Sequence, residues 1–500
     1  MNLNRLAPAE GVRAMVQPVI GTIAVLSVLA LFVVIGLRGR GRAPSARDAV
    51  EDYVAARNSQ GAGVLGLSFL ASGMGAWILF APPEVGAGIG AVGVIGYALG
   101  AAAPIVAFGL LGPRVRRIVP AGHSLTEFLR LRFGRTFHRY ALGVSMAYML
   151  LFVMAELTAV AAVAAILAGI EPRVTVVAVA LATLAYTAWG GLRASLRTDR
   201  WQGLLILGLV GVAVVAVGIA GTSGAGSAAA TGRDLLALDG LGLEVAVTLL
   251  IAVTAANLFH QGYWQRVWAA RDDQALRRGA WLGAAATVPV VLAVGGLGVL
   301  AARRGLELGA PPAPLFALLG GLPAWVALVV LTLGVALVAS SVDTLENGLA
   351  SLVTAERPSL PLGGVRLITV ALMVPAVAVA VQGFSVLQLF LVADLLCAAT
   401  VVPALSALTR RATQAGALAG AVAGLIGAVA PGAVLTGSLG GALARVVFPE
   451  AVPTLPEFAG ALLASTAVTL VVSRLAPGEA DLEALGARVD AAGADGRTAP

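Results

Sequence analysis

The sequence predicts an all-α, polytopic membrane protein of about thirteen transmembrane helices, and three observations lead there. Apolar residues fill 59% of the 500 positions and charged residues only 12%, against about 45–50% and 25% in soluble domains. The apolar residues gather in runs of roughly 20, the length that crosses a bilayer. The 33 basic residues, all Arg, cluster in short stretches between these runs, so the net charge of +7 is no sign of nucleic-acid binding.

Residues 18–36 form the first run; it is too long for the core of a signal peptide and lacks a convincing cleavage site, so it reads as a helix. Runs at 64–88, 91–112, 141–169, 173–189 and 201–221 follow, and the Gly/Ser/Ala-rich stretch 222–232 reads as an external loop. Further runs lie at 243–262, 279–302, 322–354, 365–382, 385–408, 414–434 and 458–474, before a polar and poorly ordered tail at 476–500. Sixty-two glycines suit close helix packing in lipid. Arg38, Arg40, Arg42, Arg47 and Arg57 follow the first run, and Arg114, Arg116, Arg117, Arg130, Arg132, Arg135 and Arg139 the third. Arg193, Arg197 and Arg200 follow the fifth, Arg266, Arg271, Arg277 and Arg278 the seventh, and Arg410 and Arg411 the eleventh. Basic loops on alternate sides are cytoplasmic, which places the N-terminus outside, the C-terminus inside and the chain in the plasma (inner) membrane. Arg5, Arg13, Arg303 and Arg304 run against this pattern but are fewer. A single cysteine, Cys397, excludes an internal disulfide, and three widely spaced His residues show no ligand spacing.

The run 322–354 departs from the others. Through Val338–Asn347 and the next two turns, Ser340, Asp343, Thr344, Asn347, Ser351 and Thr354 recur at steps of three and four, so a helix puts them on one stripe with Ser341 beside it. The other faces read as Leu, Val and Ala. An Asp at mid-bilayer costs about 2.5–3.5 kcal/mol by insertion scales, so the stripe faces the inside of a bundle and lines a path or a site. Lone hydroxyls often serve only to join helices; six polar positions including an acid exceed that need. A second run is interrupted: Ala71-Ser-Gly-Met-Gly-Ala-Trp77 sets two glycines and a serine at mid-membrane depth, and Pro82-Pro83-Glu84 follow. Carbonyls freed by such a break can turn inward, as they do where transporters coordinate cations. With the Ser340 and Ser341 hydroxyls they make a set of hard oxygens that suits Na+ rather than a transition metal, and no other cofactor is expected. The apolar runs hold no nucleophile–base pair and no metal cluster, so an enzyme is not expected.

Six segments, in order over about residues 50–410, resemble the sodium:solute symporter family. Asp52-Tyr-Val-Ala-Ala-Arg-Asn58 is similar to the start of the family's first core helix, and Ala71–Trp77 to its broken helix. Ser124-Leu-Thr-Glu-Phe-Leu-Arg-Leu-Arg-Phe-Gly134 resembles its cytoplasmic Thr-x-x-Glu-Phe-Leu…Arg-Phe-Gly motif, and Gly190-Gly-Leu-Arg…Thr198-Asp-Arg-Trp-Gln202 its Gly-Gly-Leu…Thr-Asp…Gln motif. Gln265-Arg266 with Ala269-Ala270 resembles the end of core helix six, and Ser340-Ser-Val-Asp-Thr344 the sodium-site motif of core helix eight. The resemblance implies a LeuT-type fold of two inverted five-helix repeats, at about 64–221 and 243–408. An extra helix and loop occupy 1–63, an external loop 222–242, two more helices 409–475 and a tail 476–500. It also implies a Na+ site built from the carbonyls of Ala71, Met74 and Leu337 with the side chains of Ser340 and Ser341. Asp199 matches a family acid implicated in cation coupling, with a salt bridge to a nearby Arg at the cytoplasmic end as the structural alternative; Asp343 and Thr344 stand with it as coupling candidates.

The solute is then expected beside the unwound segment, with Gly73, Gly75, Trp77, Glu156 and Asn257 as candidate contacts. Some members carry an acid where this chain has Gly73. Two aromatic positions of the proline carriers hold Val253 and Asn257 here, which argues against proline, while Tyr263-Trp-Gln-Arg266 is closer to the urea-transporting branch. Urea, amino-acid-like solutes and carboxylates are the candidate partners, beside Na+ and membrane lipid. Glu84, Glu156 and Asp394 are further intramembrane acids that either meet the solute or bond to neighbouring hydroxyls. The function expected is Na+-coupled uptake of a small polar organic solute by alternating access. Proton coupling through Asp199, Asp343 or Glu156, and a transporter-like sensor, stand as alternatives.

Overall fold

The computed structural model describes residues 14–38, 53–221, 234–309, 312–357, 359–382, 384, 386–447, 454–476, 480–482 and 485. Arg5, Arg13, Arg40, Arg42, Arg47, Asp52, the expected loop 222–232 and most of the tail 476–500 lie outside these residues. Of the tail, Leu482 is buried and the Ala480 N–H reaches the carbonyl of Arg410 at 2.9 Å, so this part packs on the bundle.

The described residues contain helices and no strand. Helix α1 is Pro18–Leu37. Helix α2, Ala62–Gly73, stops at Met74, whose extended backbone (φ −96°, ψ 94°) breaks the run; a 3₁₀ turn at Ala76–Leu79 and α3, Ala81–Gly88, complete it after a bend of 62°. Helix α4 is Ala91–Ile118. Helix α5, Leu125–Ala168, begins at a capping box: Ser124 Oγ accepts the Glu127 N–H at 3.1 Å and Glu127 accepts the Ser124 N–H at 3.0 Å. Helix α6 spans Pro172–Gly221, about 75 Å at 1.5 Å per residue, far more than a bilayer. It turns at Gly191 (φ 57°, ψ −148°), a conformation that favours glycine and brings the Tyr53 carbonyl close to Gly191.

A second break separates α7, Gly240–Asn257, from α8, Gln261–Ala269. Helix α9 is Asp273–Arg303, capped by Asp272, and the short α10 is Pro314–Leu319. Then come α11, Ala324–Glu356; α12, Leu362–Ala380; α13, Val386–Leu405; α14, Gln414–Thr436; α15, Leu439–Val447; and α16, Leu455–Leu475. Among the described residues, eleven helices are long and apolar enough to span a membrane, or twelve with the bent pair α2/α3 as one span. The sequence expected thirteen; it split the stretch that this criterion counts once, as Pro172–Val217.

Depth in the bundle does not follow apolarity, since lipid accepts an apolar face as readily as protein does: α1, the most apolar span, is among the least buried. The apolar stretches of α5 and α11 are the most deeply buried of the spans, and α11 packs on α6, α5, α1, α2 and α8. Helix α1 buries only the stripe Gly21, Val25, Leu29, Phe32 and Gly36 against α6 and α11, leaving Val19, Ile23 and Leu31 outward. Such outward apolar faces, repeated on α12, α14 and α16, are what lipid requires.

Candidate functional site

The polar stripe of α11 meets α2 where α2 ends. Ala71, Met74, Leu337, Ser340 and Ser341 are all buried. No backbone N–H among the described residues reaches the carbonyls of Ala71 or Met74, because the helix stops there. The Thr344 hydroxyl donates to Ser72 Oγ at 3.1 Å and ties the two helices. Ser340 donates to Asp199 Oδ1 at 3.0 Å. Ser341 differs: its hydroxyl is fully buried and without a hydrogen-bond partner among the described residues.

Asp199 pairs with Arg266, the structural alternative raised for it, and the pair lies inside the bundle. The Arg266 guanidinium and the Asp199 carboxylate, both with no exposed side-chain surface, meet at 2.7 Å. Ser68 donates to the same carboxylate at 2.5 Å, while Arg266 also donates to Ser68 Oγ (2.9 Å), the Gly262 carbonyl (2.8 Å), Ser72 Oγ (2.5 Å) and Thr344 Oγ1 (3.0 Å). The pair therefore stitches α2, α6, α8 and α11 together. Counting Arg266 among the cytoplasmic loop arginines was an error: the short helix α8 carries it back inside, where only a matched carboxylate makes its burial tolerable.

One turn along the stripe, Asp343 accepts from Tyr186 (2.7 Å), Ser195 (2.7 Å) and Thr198 (3.2 Å), all on α6. The remaining faces of α11 are not only Leu, Val and Ala. Glu346 is fully buried, accepts from Thr183 at 2.8 Å and also from Thr187. Further along, the stripe turns to its own backbone. Asn347 donates to the Asp343 carbonyl and Thr354 to that of Ala350, each at 2.8 Å, and Ser351 meets the His123 carbonyl at 3.2 Å. Of these only the Ser351 bond joins α11 to another segment.

The two helix breaks are faced by one side of α5. Glu156 Oε2 accepts the Ala76 N–H at 2.7 Å and so caps the 3₁₀ turn after the first break. A Cβ on Gly75 would stand 2.0 Å from Glu156 Oε1, and one on Gly73 1.8 Å from the Tyr263 hydroxyl, so both glycines make room for functional groups. Trp77 stacks on Tyr97, centroids 5.3 Å apart, and donates its indole N–H to the Gly73 carbonyl at 3.2 Å. At the second break Ser145 donates to the Phe259 carbonyl at 3.1 Å, and Tyr148 to Asn257 Oδ1 at 3.4 Å. Asn257 in turn donates to the Val253 carbonyl at 2.8 Å. His260 is fully buried among Tyr148, Phe152 and Tyr263, and neither ring nitrogen has a partner among the described residues.

The expected residues thus form two neighbouring groups. Ser340, Thr344 and Asp199 take part in the bonds that join α2, α6 and α11, Asp343 bonds to α6, and Ala71, Met74, Leu337 and Ser341 are buried on the helices so joined. Gly73, Gly75, Trp77, Glu156 and Asn257 lie at the breaks. Arg266, Glu346, Ser68, Tyr186 and His260 were missed as site residues. Glu346, three residues after Asp343 in an apolar run, was the one with a plain signal.

The sequence model of the sodium:solute symporter family matches residues 53–302. The chain is 30% identical over 357 residues to the spermidine transporter DUR31 of Candida albicans, across 70% of this chain and 68% of that protein. A shorter match, 29% over 121 residues, links 24% of this chain to 16% of the urea active transporter of Saccharomyces cerevisiae. Among solved structures, a Na+-coupled sialic acid symporter in a substrate-bound outward-open state superposes with a TM-score of 0.72, over 92% of this chain and 99% of that one, at 16% identity. Mhp1, a nucleobase-cation-symport-1 transporter closed around bromovinylhydantoin, gives 0.54 over 88% and 99%, at 12% identity. At such identities the likeness is one of fold, and the fold is LeuT-type.

Proposed function

Because the chain belongs to the sodium:solute symporter family, we propose that this membrane transporter couples Na+ entry to uptake of a small polar organic solute. The observations that carry the reading are the Ser341 hydroxyl, buried and unpartnered among the described residues, and the end of α2, whose Ala71 and Met74 carbonyls take no backbone N–H, on two helices tied by Thr344 and Ser72. A buried hydroxyl left unsatisfied costs about 1–3 kcal/mol. A monovalent cation bound by Ser341, Ser340 and the Ala71, Met74 and Leu337 carbonyls removes that cost with oxygens alone.

Na+ so held draws α2 to α11 and sets the segment Met74–Gly75, against which the solute binds. Solute and Na+ then favour the same state, each raising the affinity of the other by the same factor. One Na+ moving down 100 mV supplies about 2.3 kcal/mol before any concentration gradient. The two breaks open the stretches 64–221 and 243–408, which suits two inverted repeats rocking about a midplane site. We place the N-terminus outside and the C-terminus in the cytoplasm, on the arginine pattern less Arg266. The relatives' solutes, spermidine and urea, supply the first compounds to try.

Proteoliposome uptake tests the reading. Ser341→Ala is expected to raise the Na+ concentration for half-maximal uptake about tenfold or more, the loss of about 1.4 kcal/mol or more, with thermal stability kept. Unchanged Na+ affinity in that variant, or uptake without Na+, would sink the assignment. Proton coupling has an observation of its own: Asp343 and Glu346 take side-chain hydrogen bonds from hydroxyls alone, which suit a carboxylate in either protonation state. Uptake driven by a pH gradient with Na+ absent selects that alternative.

A further inference from the structure

The seam between α8 and α11 holds three buried amide side chains that bond only through their nitrogens. Gln265 donates to the Val54 carbonyl at 2.7 Å and to the Asn347 carbonyl at 3.2 Å. Gln261 donates to the His123 carbonyl at 2.5 Å and to Ser351 Oγ at 3.1 Å. Asn347 donates to the Asp343 carbonyl at 2.8 Å. A backbone carbonyl only accepts, so in each amide the nitrogen must lie on the bonded side and the oxygen on the other. Those oxygens, Gln261 Oε1, Gln265 Oε1 and Asn347 Oδ1, are buried and have no hydrogen-bond partner among the described residues. Each residue exposes 2% of its surface or less. A buried acceptor left unsatisfied costs about 1–3 kcal/mol, which joining two helices does not require three times over.

Gln261 and Gln265 are one turn apart on α8, and Asn347 and Ser351 one turn apart on α11. The contacts Gln265–Asn347 and Gln261–Ser351 are therefore two rungs of one ladder. Gly348 lies between them, and a Cβ there would stand 3.0 Å from the Gly262 nitrogen, so the backbones close on each other. The seam is too narrow for an organic solute. The same face of α11 continues through Thr344 to Ser341. At its other end the Val54 and His123 carbonyls cover it, and Arg57 ties the two covering segments by donating to the carbonyls of Pro120 (2.5 Å) and Gly122 (3.0 Å).

Small, hard, neutral oxygens in a narrow seam suit an alkali cation. Asp343 and Glu346 stand on the same turns of α11 with hydroxyls as their side-chain donors, so any charge they carry favours a cation there. Arg266, buried nearby, is already matched by Asp199.

We propose that the α8–α11 seam is a second binding station for a monovalent alkali cation, with Gln261 Oε1, Gln265 Oε1 and Asn347 Oδ1 as its ligands. Na+ released from Ser341 passes along this face and leaves when the segments carrying Val54 and His123 part. The route by Asp199 is closed to it by the Arg266 guanidinium. The station rests on the Na+ reading above, and the experiment separates the two failures.

The probe is Na+ alone, as a radioactive tracer whose equilibrium binding to the full chain is counted by scintillation proximity. Wild type is expected to bind two Na+ per chain. Ser341→Ala should lose one and Asn347→Leu the other, the affinity of the retained ion being unchanged in each. Among the described residues the Asn347 side chain bonds only within its own helix, so a leucine of similar shape keeps the fold. Gln265→Met is the second variant, and either one, once folded, decides. A single Na+ in wild type, lost in Ser341→Ala and kept in both seam variants, overturns the station and leaves the carrier standing. Two Na+ in a folded seam variant, or none, also overturns it. No Na+ bound by wild type refutes station and coupling together. If neither seam variant folds, Ser341→Ala decides: one Na+ is expected there, and none overturns the station.

Discussion

Arg266→Met is expected to destabilise the protein by about 3–5 kcal/mol, the loss typical when one partner of a buried ion pair is removed. The substitution keeps roughly the length but strands the Asp199 carboxylate in the bundle interior, with Ser68 and Ser340 its closest remaining donors. It also removes the donors that join α8 to Ser72 and Thr344, and so loosens the contact of α2 with α11. Asp199→Asn added to Arg266→Met removes the stranded charge, and more than half of the lost stability should return. The coupling between the two sites is then of order 1–3 kcal/mol. The measurement is the thermal midpoint of the purified protein in detergent for wild type, both single variants and the double. A fully stable Arg266→Met protein would refute the clamp and give Asp199 to a mobile cation, the coupling part that the family resemblance implied for it.

Why Arg266 escaped a reading of the sequence is a matter of registry. It stands five residues before Arg271, in a stretch that looks like another basic loop, and only the turn at Leu258–His260 and the shortness of α8 bring it inward. The break at Ala71–Trp77 was legible because Gly, Ser and nearby Pro weaken a helix wherever they fall. The stripe of α11 was legible because helical spacing in an apolar run is a local property. What that stripe touches was not. Asp343 finds Tyr186, Ser195 and Thr198, and Glu346 finds Thr183 and Thr187, about 145 to 163 positions away. Hydroxyls on α6 carry no periodic mark that singles them out. Nor could spacing tell that Ser340 is taken by Asp199 while its neighbour Ser341 is left over. A hundred-degree step between adjacent helical residues separates the two roles.

The second large effect separates a site glycine from a packing glycine by one methyl group each. Gly75→Ala puts a Cβ 2.0 Å from Glu156 Oε1 and 2.1 Å from its Cδ, yet the Gly75 backbone (φ −95°, ψ −176°) is extended and open to any residue. The carboxylate lies at the end of a flexible side chain, so it swings aside and the fold survives. What goes is the bond from the Ala76 N–H and the placement of the charge. Hydrogen bonds to charged groups contribute about 1.5–3 kcal/mol, so affinity for the transported solute should fall about 10- to 150-fold with a small change in thermal midpoint. Gly298→Ala provides the contrast. Its Cβ would meet the Pro83 carbonyl oxygen at 1.9 Å, where two backbones touch and neither can rotate away. There α9 must part from α3, and overpacking of this kind costs about 1–3 kcal/mol of stability. Thermal midpoint and solute-induced stabilisation, measured on both variants, should move in opposite proportion. If Gly75→Ala loses stability as Gly298→Ala does and the folded fraction binds solute normally, Glu156 is a structural cap for the broken helix and its carboxylate has no part in recognition.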